Sequence, residues 1–262
     1  MATVLDILKF IHTIAPPEMK EDWDRVGLNC GHTDREVSSI LVALDPFESV
    51  CQEAKEIGAD LLVTHHALLW TPGFVTDMDQ QGKNALFLIE NNIAHINAHT
   101  NLDCAPGGVN DILAQKLGLE NIQVICPKGI DVQGRPWGLL RCGCVAPQSL
   151  ESFLKQAKDA LGCKVLRYVK GNRPVHKVAV GGGACASELQ QAIDSGCDTF
   201  VTADVRYNQF WDAKNAGIHL IDAGHFYTED PVCEYLVSQL QAAFPDIRVT
   251  KSTRHTDCAE FF

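Results

Sequence analysis

No apolar run in the 262-residue sequence approaches the roughly 18 residues that a membrane-spanning helix requires. The first residues also lack the charged segment and the long apolar stretch that together form a secretory signal. From these absences we expect a soluble, cytoplasmic protein that does not bind membranes.

Positive charge is scarce as well. The chain carries 22 lysine and arginine residues against 33 aspartate and glutamate residues, a formal net charge of -11, and it has no local cluster of basic residues. A protein with this balance repels polyanions, because phosphate backbones and anionic lipid surfaces are themselves negative. The composition therefore argues against nucleic acid as a partner, and a nucleic-acid-binding coregulator is the least favoured function.

The eleven cysteines do not form regularly spaced pairs. An odd number of scattered cysteines is typical of reduced, mostly buried thiols, whereas a disulfide framework has paired spacings. Cys142 and Cys144 stand closer together than the usual zinc ligands, so a strand with small side chains is favoured over a metal or redox role.

Apolar residues follow a helical period in the first segment and form short buried runs after it. Residues 3–14 predict an amphipathic helix, and residues 40–44, 61–63 and 93–98 predict buried strands that alternate with helices. This alternation indicates an α/β fold in which helices cover both faces of a doubly wound sheet. With 46% hydrophobic residues the chain could form one large core or two small ones, and we favour two domains.

Part of the sequence repeats. A set of residues recurs 138 positions later: Ala54, Gly58, Asp60, Val63 and Thr64 return as Ala192, Gly196, Asp198, Val201 and Thr202. Further along, His99 and Asp103 return 126 positions later as His225 and Glu229. We interpret the chain as two similar three-layer α/β domains that arose by duplication.

The predicted boundary between the domains lies near a stretch rich in glycine and proline at 127–138. On this interpretation residues 126–225 form the second domain. Residues 1–125 and 226–262 form the first, which carries most of the candidate metal ligands.

Two adjacent histidines, His65 and His66, follow the predicted strand at 61–63. Beyond the carboxyl end of a strand both imidazoles can turn toward the crevice where α/β sheets bind ligands, whereas within the strand they would point to opposite faces. Such a pair can also be two hydrogen-bonded loop residues, so a metal assignment depends on partners elsewhere in the chain.

Candidate partners each lie just beyond a predicted strand, and they are Asp103, His225 and Glu229. With the histidine pair they provide three imidazoles and two carboxylates, more than one tetrahedral ion needs. We therefore predict two divalent ions per subunit, Zn²⁺, Fe²⁺, Mn²⁺ or Co²⁺ rather than Ca²⁺ or Mg²⁺, bridged by a carboxylate and a water. The alternative is that His225 and Glu229 only precede a helix that begins at Asp230 and Pro231, which explains Asp230 but not His225.

His99 and Asp24 are the candidate catalytic residues. We predict that His99 is not a ligand but donates a hydrogen bond to Asp103 or to a substrate, because a sixth protein ligand would close positions that chemistry needs. Asp24 could reach the site, although it could also be a turn-forming aspartate. The glycines at 181–183 could form either a tight turn or an anion cradle at a helix N-terminus.

Four segments resemble signature segments of one known family: EDWDRVGLNCG at 21–31, GADLLVTHH at 58–66, HTNLDCAPGGVND at 99–111 and DAGHFYTE at 222–229. In combination they resemble the Nif-three-like dinuclear metal-centre family, whose members are often named GTP cyclohydrolase I type 2 homologues. The resemblance covers nearly the whole chain. It corresponds to the short form of the family, without the domain that longer members insert between their halves.

The resemblance implies the same metal ligands that the strand ends suggest, namely His65, His66, Asp103, His225 and Glu229. It also implies two interlocked α/β domains and a ring-shaped homohexamer whose sites face its interior. The sequence departs from the family at Arg25, where asparagine is frequent, and at Ala203-Asp204, where Gly-Glu is frequent.

The predicted function is a dinuclear metal-dependent hydrolase acting on a small molecule such as a nucleotide. The resemblance implies chemistry of the GTP cyclohydrolase type, in which a hydroxide that bridges the ions attacks the purine imidazole ring and formate is released. A phosphatase or an amidohydrolase would use the same centre. The alternative is a metal-binding hexameric scaffold or regulator without catalysis, and the small number of candidate acid and base residues favours it.

Overall fold

The computed structural model describes residues 2–70 and 74–261, which form two compact units. The first unit comprises the chain up to Leu102 together with Val232–Thr256. The second comprises Asp103–Pro231 together with the residues after Thr256. Each unit is thus built from two separate stretches of chain. The sequence-based boundaries at 125/126 and 225/226 stay a prediction of where the duplicated copies join.

Helices and strands alternate along most of the chain. The helices are α1 (Val4–Ile14), α2 (Glu48–Glu56), α3 (Gln80–Glu90), α4 (Thr100–Cys104), α5 (Val109–Lys116), α6 (Leu150–Leu161), α7 (Leu189–Asp194), α8 (Tyr207–Ala216), α9 (His225–Glu229) and α10 (Pro231–Ala243). The strands are β1 (Gly27–Cys30), β2 (Ser39–Ala43), β3 (Leu61–Thr64), β4 (Ala94–Asn97), β5 (Glu120–Ile125), β6 (Gly129–Ile130), β7 (Pro136–Trp137), β8 (Leu140–Gln148), β9 (Arg167–Val169), β10 (Val175–Val180), β11 (Thr199–Thr202), β12 (His219–Asp222) and β13 (Arg248–Lys251). Short 3-10 turns lie at Pro17–Met19 and Cys185–Glu188. Across the described ranges, none of these helices has both the length and the apolar character needed to cross a bilayer.

Local capping explains where the first helix begins. The Thr3 hydroxyl accepts the Asp6 N–H at 3.3 Å, and the Asp6 carboxylate accepts the Thr3 N–H at 2.9 Å. This reciprocal pair satisfies two N–H groups that a helix N-terminus leaves without intrahelical partners. The helix ends shortly before Pro16, so the predicted helix over 3–14 is confirmed.

The sheet of the first unit has the strand order β1-β4-β3-β2-β13, in which β1 is antiparallel to β4 and the other pairs are parallel. Alternate side chains of its central strands point to opposite faces. Leu41 and Leu62 belong to a buried cluster with residues of α2 and α3, whereas their neighbours Ile40 and Leu61 are buried outside that cluster. Strands that are buried on both faces produce the continuous apolar runs seen in the sequence.

The second unit has a six-stranded sheet in the order β5-β8-β10-β11-β12-β9, with β10, β11 and β12 parallel. Two core clusters lie against it. Ala179 and Phe200 pack with residues of α7 and α8, whereas Val178 and Val201 pack with residues of α5 and α6. Because adjacent residues on a strand point to opposite faces, these clusters lie on the two sides of the sheet, and the unit has the predicted three layers.

The strand registers confirm the predicted duplication. In the first unit Ile40 pairs with Leu61, and in the second Val178 pairs with Thr199, so both members of the pair are displaced by 138 residues. The third parallel strands also correspond, although β12 follows β4 by 125 residues. The offset becomes 126 at His225 because the second copy has one extra residue there, Gly224, with φ of +84°.

All eleven cysteines lie in the described ranges and are free thiols. This agrees with the prediction of scattered, reduced cysteines. Most of them are buried, including Cys142 on β8, whereas its neighbour Cys144 is half-buried.

Candidate metal centre

His65 and His66 lie directly beyond the carboxyl end of β3, which ends at Thr64. Both side chains are buried, and their ring centroids are 4.9 Å apart. The Thr64 hydroxyl donates to the His66 carbonyl at 2.5 Å and so fixes the turn by which the chain leaves the sheet. The predicted position of the pair, past the strand rather than within it, is confirmed.

His65 is held by a backbone carbonyl. Its Nδ1 lies 2.8 Å from the oxygen of Ala98, just beyond β4. Because a carbonyl only accepts hydrogen bonds, Nδ1 carries the proton in this contact, which fixes the tautomer of the ring. The imidazole is completely buried, so its orientation is set by this contact and by the surrounding core.

His66 is held by the carboxylate of Asp45, whose Oδ1 lies 2.6 Å from Nδ1 of His66. The other oxygen of Asp45 lies 3.0 Å from Nε2 of His255. Burial alone would raise the pKa of Asp45, but the hydrogen bonds from both histidines and their charges outweigh it and hold the pKa well below its usual value. Asp45 is thus an anion that can only accept hydrogen bonds. Nδ1 of His66 therefore carries a proton, as Nδ1 of His65 does.

His99 completes a group of three imidazoles in the first unit. Its ring centroid lies 5.1 Å from that of His65 and 5.4 Å from that of His66. One nitrogen of each ring lies within 4.8 Å of the corresponding atoms of the other two. Nδ1 of His99 lies 3.0 Å from Oδ1 of Asp24, which leaves Nε2 available to a ligand. Each of the three rings thus has Nδ1 close to an oxygen, and the three rings lie close enough together to share one ion.

Asp24 is buried, and several donors converge on it. Its Oδ2 accepts the Thr100 N–H at 3.0 Å and the Thr100 hydroxyl at 2.5 Å, and its Oδ1 accepts the Arg25 N–H at 2.7 Å. Burial would raise its pKa, but the hydrogen bonds from His99 and Thr100 and the charge of His99 outweigh that effect and lower the pKa far below its usual value. The structure thus brings Asp24 and His99, the two candidate catalytic residues, together.

Two tryptophans border the imidazole group. Trp70 meets His99 edge-on with ring centroids 5.0 Å apart, and Trp23 lies 5.8 Å from the same ring. These contacts limit the rotation of His99 and cover one side of it.

The second unit carries its own cluster of metal-binding side chains. His225 and Glu229 are the first and last residues of α9, four positions apart, so they lie on one face of that helix. His225 Nε2 lies 2.9 Å from Glu229 Oε2, and oxygens of Asp103 and Glu229 lie within 4.8 Å of each other. Asp103 and Glu229 are both more than nine-tenths buried. Two buried carboxylates this close repel each other when both are ionised, and a bound cation would offset that repulsion.

Asp204 has a role that the sequence analysis did not assign. Its Oδ2 lies 2.7 Å from Nδ1 of His225, so it orients this imidazole as Asp45 orients His66. Its backbone has φ of +51°, in the left-handed region that aspartate tolerates better than most residues. The departure from the family pattern at Ala203-Asp204 therefore retains a carboxylate that contributes to the second cluster. The repeat offers a signal for it, because position 204 follows His66 by 138 residues.

The glycines at 181–183 form a structural turn, and the anion-cradle interpretation is wrong. Gly181 N–H donates to the Val201 carbonyl at 3.0 Å, Gly182 N–H to the Asn110 side chain at 2.7 Å, and Gly183 N–H to the Thr228 hydroxyl at 3.0 Å. These N–H groups are already used within the protein, so they are not free for a phosphate. Glycine is required at 183 because an added Cβ would lie 2.1 Å from Oε1 of Glu229.

A buried arginine that sequence reasoning missed supports α4, which carries Asp103. Arg141 donates from Nη2 to the carbonyls of Cys104 and Ala105, at 3.2 and 3.1 Å, and from Nε to Asp111 at 2.9 Å. Its side chain is almost completely buried. It therefore satisfies carbonyls at the C-terminus of α4, where a positive charge is also stabilised by the helix dipole.

The donor atoms of both units are suited to a divalent transition metal. Imidazole nitrogens with a fixed tautomer and buried carboxylates are the usual ligands of zinc, iron, manganese and cobalt. These buried groups could hold metal ions. Which of the predicted residues bind an ion, how many ions bind, and whether His99 and Asp24 are catalytic stay predictions.

Comparison with known proteins places this chain among well-defined relatives. Residues 2–258 match the model of the Duf34/NIF3 (NGG1p interacting factor 3) family. The GTP cyclohydrolase 1 type 2 homolog of Clostridium perfringens is 35% identical over 232 residues, which cover 87% of this chain and 87% of the relative. The protein of the same name from Streptomyces coelicolor is 35% identical over 267 residues, which cover 98% of this chain and 93% of the relative.

A solved structure gives the same result for the fold. The Bacillus cereus protein related to NIF3 superposes with a TM-score of 0.94 and 24% sequence identity, and the match covers 100% of this chain and 99% of that one. This likeness confirms the predicted fold of two similar α/β domains.

Proposed function

Because the chain belongs to the Duf34/NIF3 family, we propose that it is a hydrolase that depends on two divalent metal ions. The observation that carries this proposal is the group of buried imidazoles formed by His65, His66 and His99. Each ring has its Nδ1 close to an oxygen, and one nitrogen of each ring lies within 4.8 Å of a nitrogen of the other two. Histidines that bind metals are held in this way, because the second contact fixes the tautomer and the ring orientation.

In the proposed centre the residues that would hold the ions are His65, His66, Asp103, His225 and Glu229. The two carboxylates balance part of the metal charge, and the imidazoles remain neutral ligands. Asp45 and Asp204 keep two of these imidazoles in the required tautomer. When bound, divalent ions at such a centre supply an activated water at neutral pH and neutralise negative charge that develops on the substrate.

In this proposal His99 accepts and donates the proton, and Asp24 stabilises the protonated ring. The carboxylate of Asp24 lies 3.0 Å from Nδ1 of His99, so its negative charge stabilises the imidazolium that forms when Nε2 of His99 takes a proton. Thr100 fixes the second oxygen of Asp24 and so keeps the carboxylate in place during that transfer.

For the substrate we propose a purine nucleotide whose imidazole ring is opened with release of formate. The name of the Clostridium perfringens and Streptomyces coelicolor relatives supports this choice. The proposal extends to any small molecule with an electrophilic carbon or phosphorus that fits the same centre.

The test begins with protein purified without added metal, whose metal content is measured by mass spectrometry. Formate release from GTP is then measured, and hydrolysis is measured on a panel of phosphoesters and cyclic amides. We expect turnover that a chelator abolishes, that one of the four predicted metals restores, and that His65→Ala lacks. Metal-loaded protein that hydrolyses none of these compounds would contradict the proposed activity.

A metal-binding scaffold without turnover is the second candidate, and the position of His99 favours it. A third imidazole beside His65 and His66 would occupy a coordination position that a substrate or water needs. For a scaffold we expect that removing the metal changes the mass of the assembly while no compound of the panel is hydrolysed.

We also propose that the chain assembles into a ring-shaped homohexamer in the cytoplasm. The family resemblance is its support. Light scattering of the metal-loaded protein should give the mass of six chains, and a monomer at micromolar concentration would contradict the ring.

A further inference from the structure

A cavity of about 500 Å³ opens in the first unit beside the imidazole group. Its volume lies within the range of about 300–1,000 Å³ that small-molecule sites occupy. Asp24 lines it, and the same carboxylate lies 3.0 Å from Nδ1 of His99. A molecule in this cavity would therefore contact a residue that directly touches the candidate metal centre.

Two cations line the cavity, Lys20 and Arg25. Lys20 is half-buried, and its Nζ donates to the Glu21 carbonyl at 3.2 Å, which leaves two further N–H groups. Arg25 is exposed, and its guanidinium takes part in no ion pair with any residue in 2–70 or 74–261. In a chain with 33 acidic residues against 22 basic ones, two cations without a carboxylate partner on one cavity indicate a negatively charged ligand.

The acidic residues that line the same cavity are already engaged. Asp24 accepts hydrogen bonds from the Arg25 N–H and from Thr100 and lies 3.0 Å from Nδ1 of His99. Asp79 accepts the Gly82 N–H at 2.7 Å as the N-cap of α3. Both carboxylates are thus turned toward protein donors. The positively charged donors that line the cavity are those of Lys20 and Arg25.

The rest of the wall is largely apolar, with Val26, Leu28, Leu69, Phe74 and Val75. Phe74 is 96% exposed, so one face of its ring is open to a planar group. An apolar wall with an aromatic ring and a pair of cations is suited to a flat heterocycle that bears an anionic group, because the ring packs on the apolar side while the anion meets the cations.

We propose that this cavity binds a nucleoside phosphate, with Lys20 and Arg25 on the phosphate and Phe74 against the base. The inference rests on the proposed hydrolase function insofar as it gives the residues that would bind the nucleotide substrate of that centre. Binding at the cavity can be measured without turnover, so the two proposals fail separately.

The experiment compares four nucleoside monophosphates with the four matching nucleosides, each titrated by calorimetry into the metal-loaded full-length protein. We expect at least one monophosphate to bind more tightly than its nucleoside. The double variant Lys20→Gln, Arg25→Gln should lower the affinity for that monophosphate by roughly tenfold or more, because a hydrogen bond between charged groups is lost at each position. Its affinity for the nucleoside should not change. Phe74→Ala should lower the affinity for both ligands.

The control variant is Lys83→Gln with Lys55→Gln, which removes two positive charges from α3 and α2 outside the cavity lining. It should leave the affinity for the monophosphate within twofold of the original. An equal loss in the control would show a general charge effect and overturn the proposal. So would a set of monophosphates that all bind no more tightly than their nucleosides. If a monophosphate binds tightly through Lys20 and Arg25 but is not hydrolysed, the proposed binding site is supported and only the proposed hydrolase function is contradicted.

Discussion

Oδ1 of Asp45 lies 2.6 Å from Nδ1 of His66, and the same carboxylate reaches Nε2 of His255 through its other oxygen. His255 is brought there by the segment after β13, whose Ser252 and Thr253 hydroxyls donate to Glu53 on α2. The orientation of His66, a candidate metal ligand, therefore depends on the Asp45 carboxylate and on His255, which is 210 residues away from Asp45 in the chain.

The first prediction concerns this contact. Asp45→Asn removes the negative charge that holds Nδ1 of His66 protonated, so we expect metal affinity to fall by about 10–100-fold without complete loss. Competition with a fluorescent chelator measures the change. The matched control is Asp60→Asn, because Asp60 also accepts hydrogen bonds within the first unit, from Arg35 and Ser38, but does not contact the imidazole group. Equal losses in the two variants would show that the effect arises from general destabilisation.

The second prediction concerns the histidine pair. His65→Ala and His66→Ala should each lower the bound metal while the fold persists, because both residues lie beyond the end of β3. Melting in excess chelator measures the cost of removing each buried ring separately from the effect of the metal. With metal present, the wild type should gain about 2.7 kcal/mol at a free metal concentration of 100 Kd, and the variants should lack most of this gain.

His176→Ala is the control for the pair. Nδ1 of His176 lies 2.6 Å from the Val145 carbonyl, so it is anchored as His65 is, but it belongs to neither ligand cluster. Its metal-to-protein ratio should equal that of the wild type. If His65→Ala and His66→Ala both keep the metal content of the wild type, the proposed metal site is wrong.

The third prediction uses two glycines of the second unit. Gly183 and Gly196 both have positive φ, +60° and +75°, but a Cβ at 196 meets open space whereas a Cβ at 183 would lie 2.1 Å from Glu229 Oε1. Gly196→Ala should therefore cost only the backbone strain, about 1–2 kcal/mol. Gly183→Ala adds the displacement of Glu229, so we expect it also to lose bound metal. Retention of all metal by Gly183→Ala would show that Glu229 is not a ligand.

The positions of His65 and His66 could be predicted because the signals are local. A continuous apolar run predicts a strand buried on both faces, and the polar residues after Val63 mark its end. The duplication was visible for a similar reason. Gly58 and Asp60 form a turn before a parallel strand, and Gly196 and Asp198 form the same turn in the second copy. The registers of both sheets agree with this correspondence.

Asp45, His255 and Arg141 could not be predicted, because their partners lie far away in sequence and no spacing rule connects them. Asp45 and His66 are 21 residues apart, and Arg141 reaches carbonyls 36 and 37 residues away. Their positions depend on tertiary packing. The glycine turn at 181–183 was ambiguous for another reason, since glycine supplies the backbone freedom for an anion cradle and for a tight turn alike, and only the partners of its N–H groups distinguish them.

The fourth prediction concerns pH and His95, a histidine on β4 outside both ligand clusters. Burial lowers the pKa of His95 to about 3, and its Nε2 lies 2.7 Å from the Thr64 hydroxyl. The folded protein keeps this ring neutral, whereas the unfolded chain takes up a proton below about pH 6.5. The unfolded state therefore binds more protons, and the free energy of unfolding falls by up to about 1.4 kcal/mol per pH unit as the pH drops from about 6 toward 3.

His95→Gln should flatten this dependence, while His32→Gln, at an exposed position, should not. Urea unfolding between pH 4 and pH 8 in the presence of chelator measures the slope without a contribution from bound metal. Identical slopes for the wild type and His95→Gln would show that other groups dominate the acid dependence.

The fifth prediction separates His99 from His225, which occupy equivalent places in the two copies. Nδ1 of His225 lies 2.7 Å from Asp204, and its Nε2 lies 2.9 Å from Glu229, which is also a candidate ligand on α9. His225→Gln should lose at least one of two ions. His99 has Nδ1 against Asp24, and we predict that it acts on Asp103 or on a substrate without binding an ion. His99→Gln should then keep most of its metal and lose most of any hydrolytic rate, and Asp24→Asn should have the same pair of effects.

The imidazole group makes this a stringent test, because one nitrogen of His99 lies as close to the ring nitrogens of His65 and His66 as a shared ligand would require. Metal-to-protein ratios measured by mass spectrometry distinguish the alternatives. If His99→Gln and His225→Gln lose metal equally, His99 is a ligand, and a sixth protein ligand leaves fewer open positions for water and substrate. That result would favour the scaffold over the hydrolase. If His99→Gln retains its ions and loses the rate, Asp24 and His99 form the proton-transfer pair, and the open coordination positions remain for the substrate.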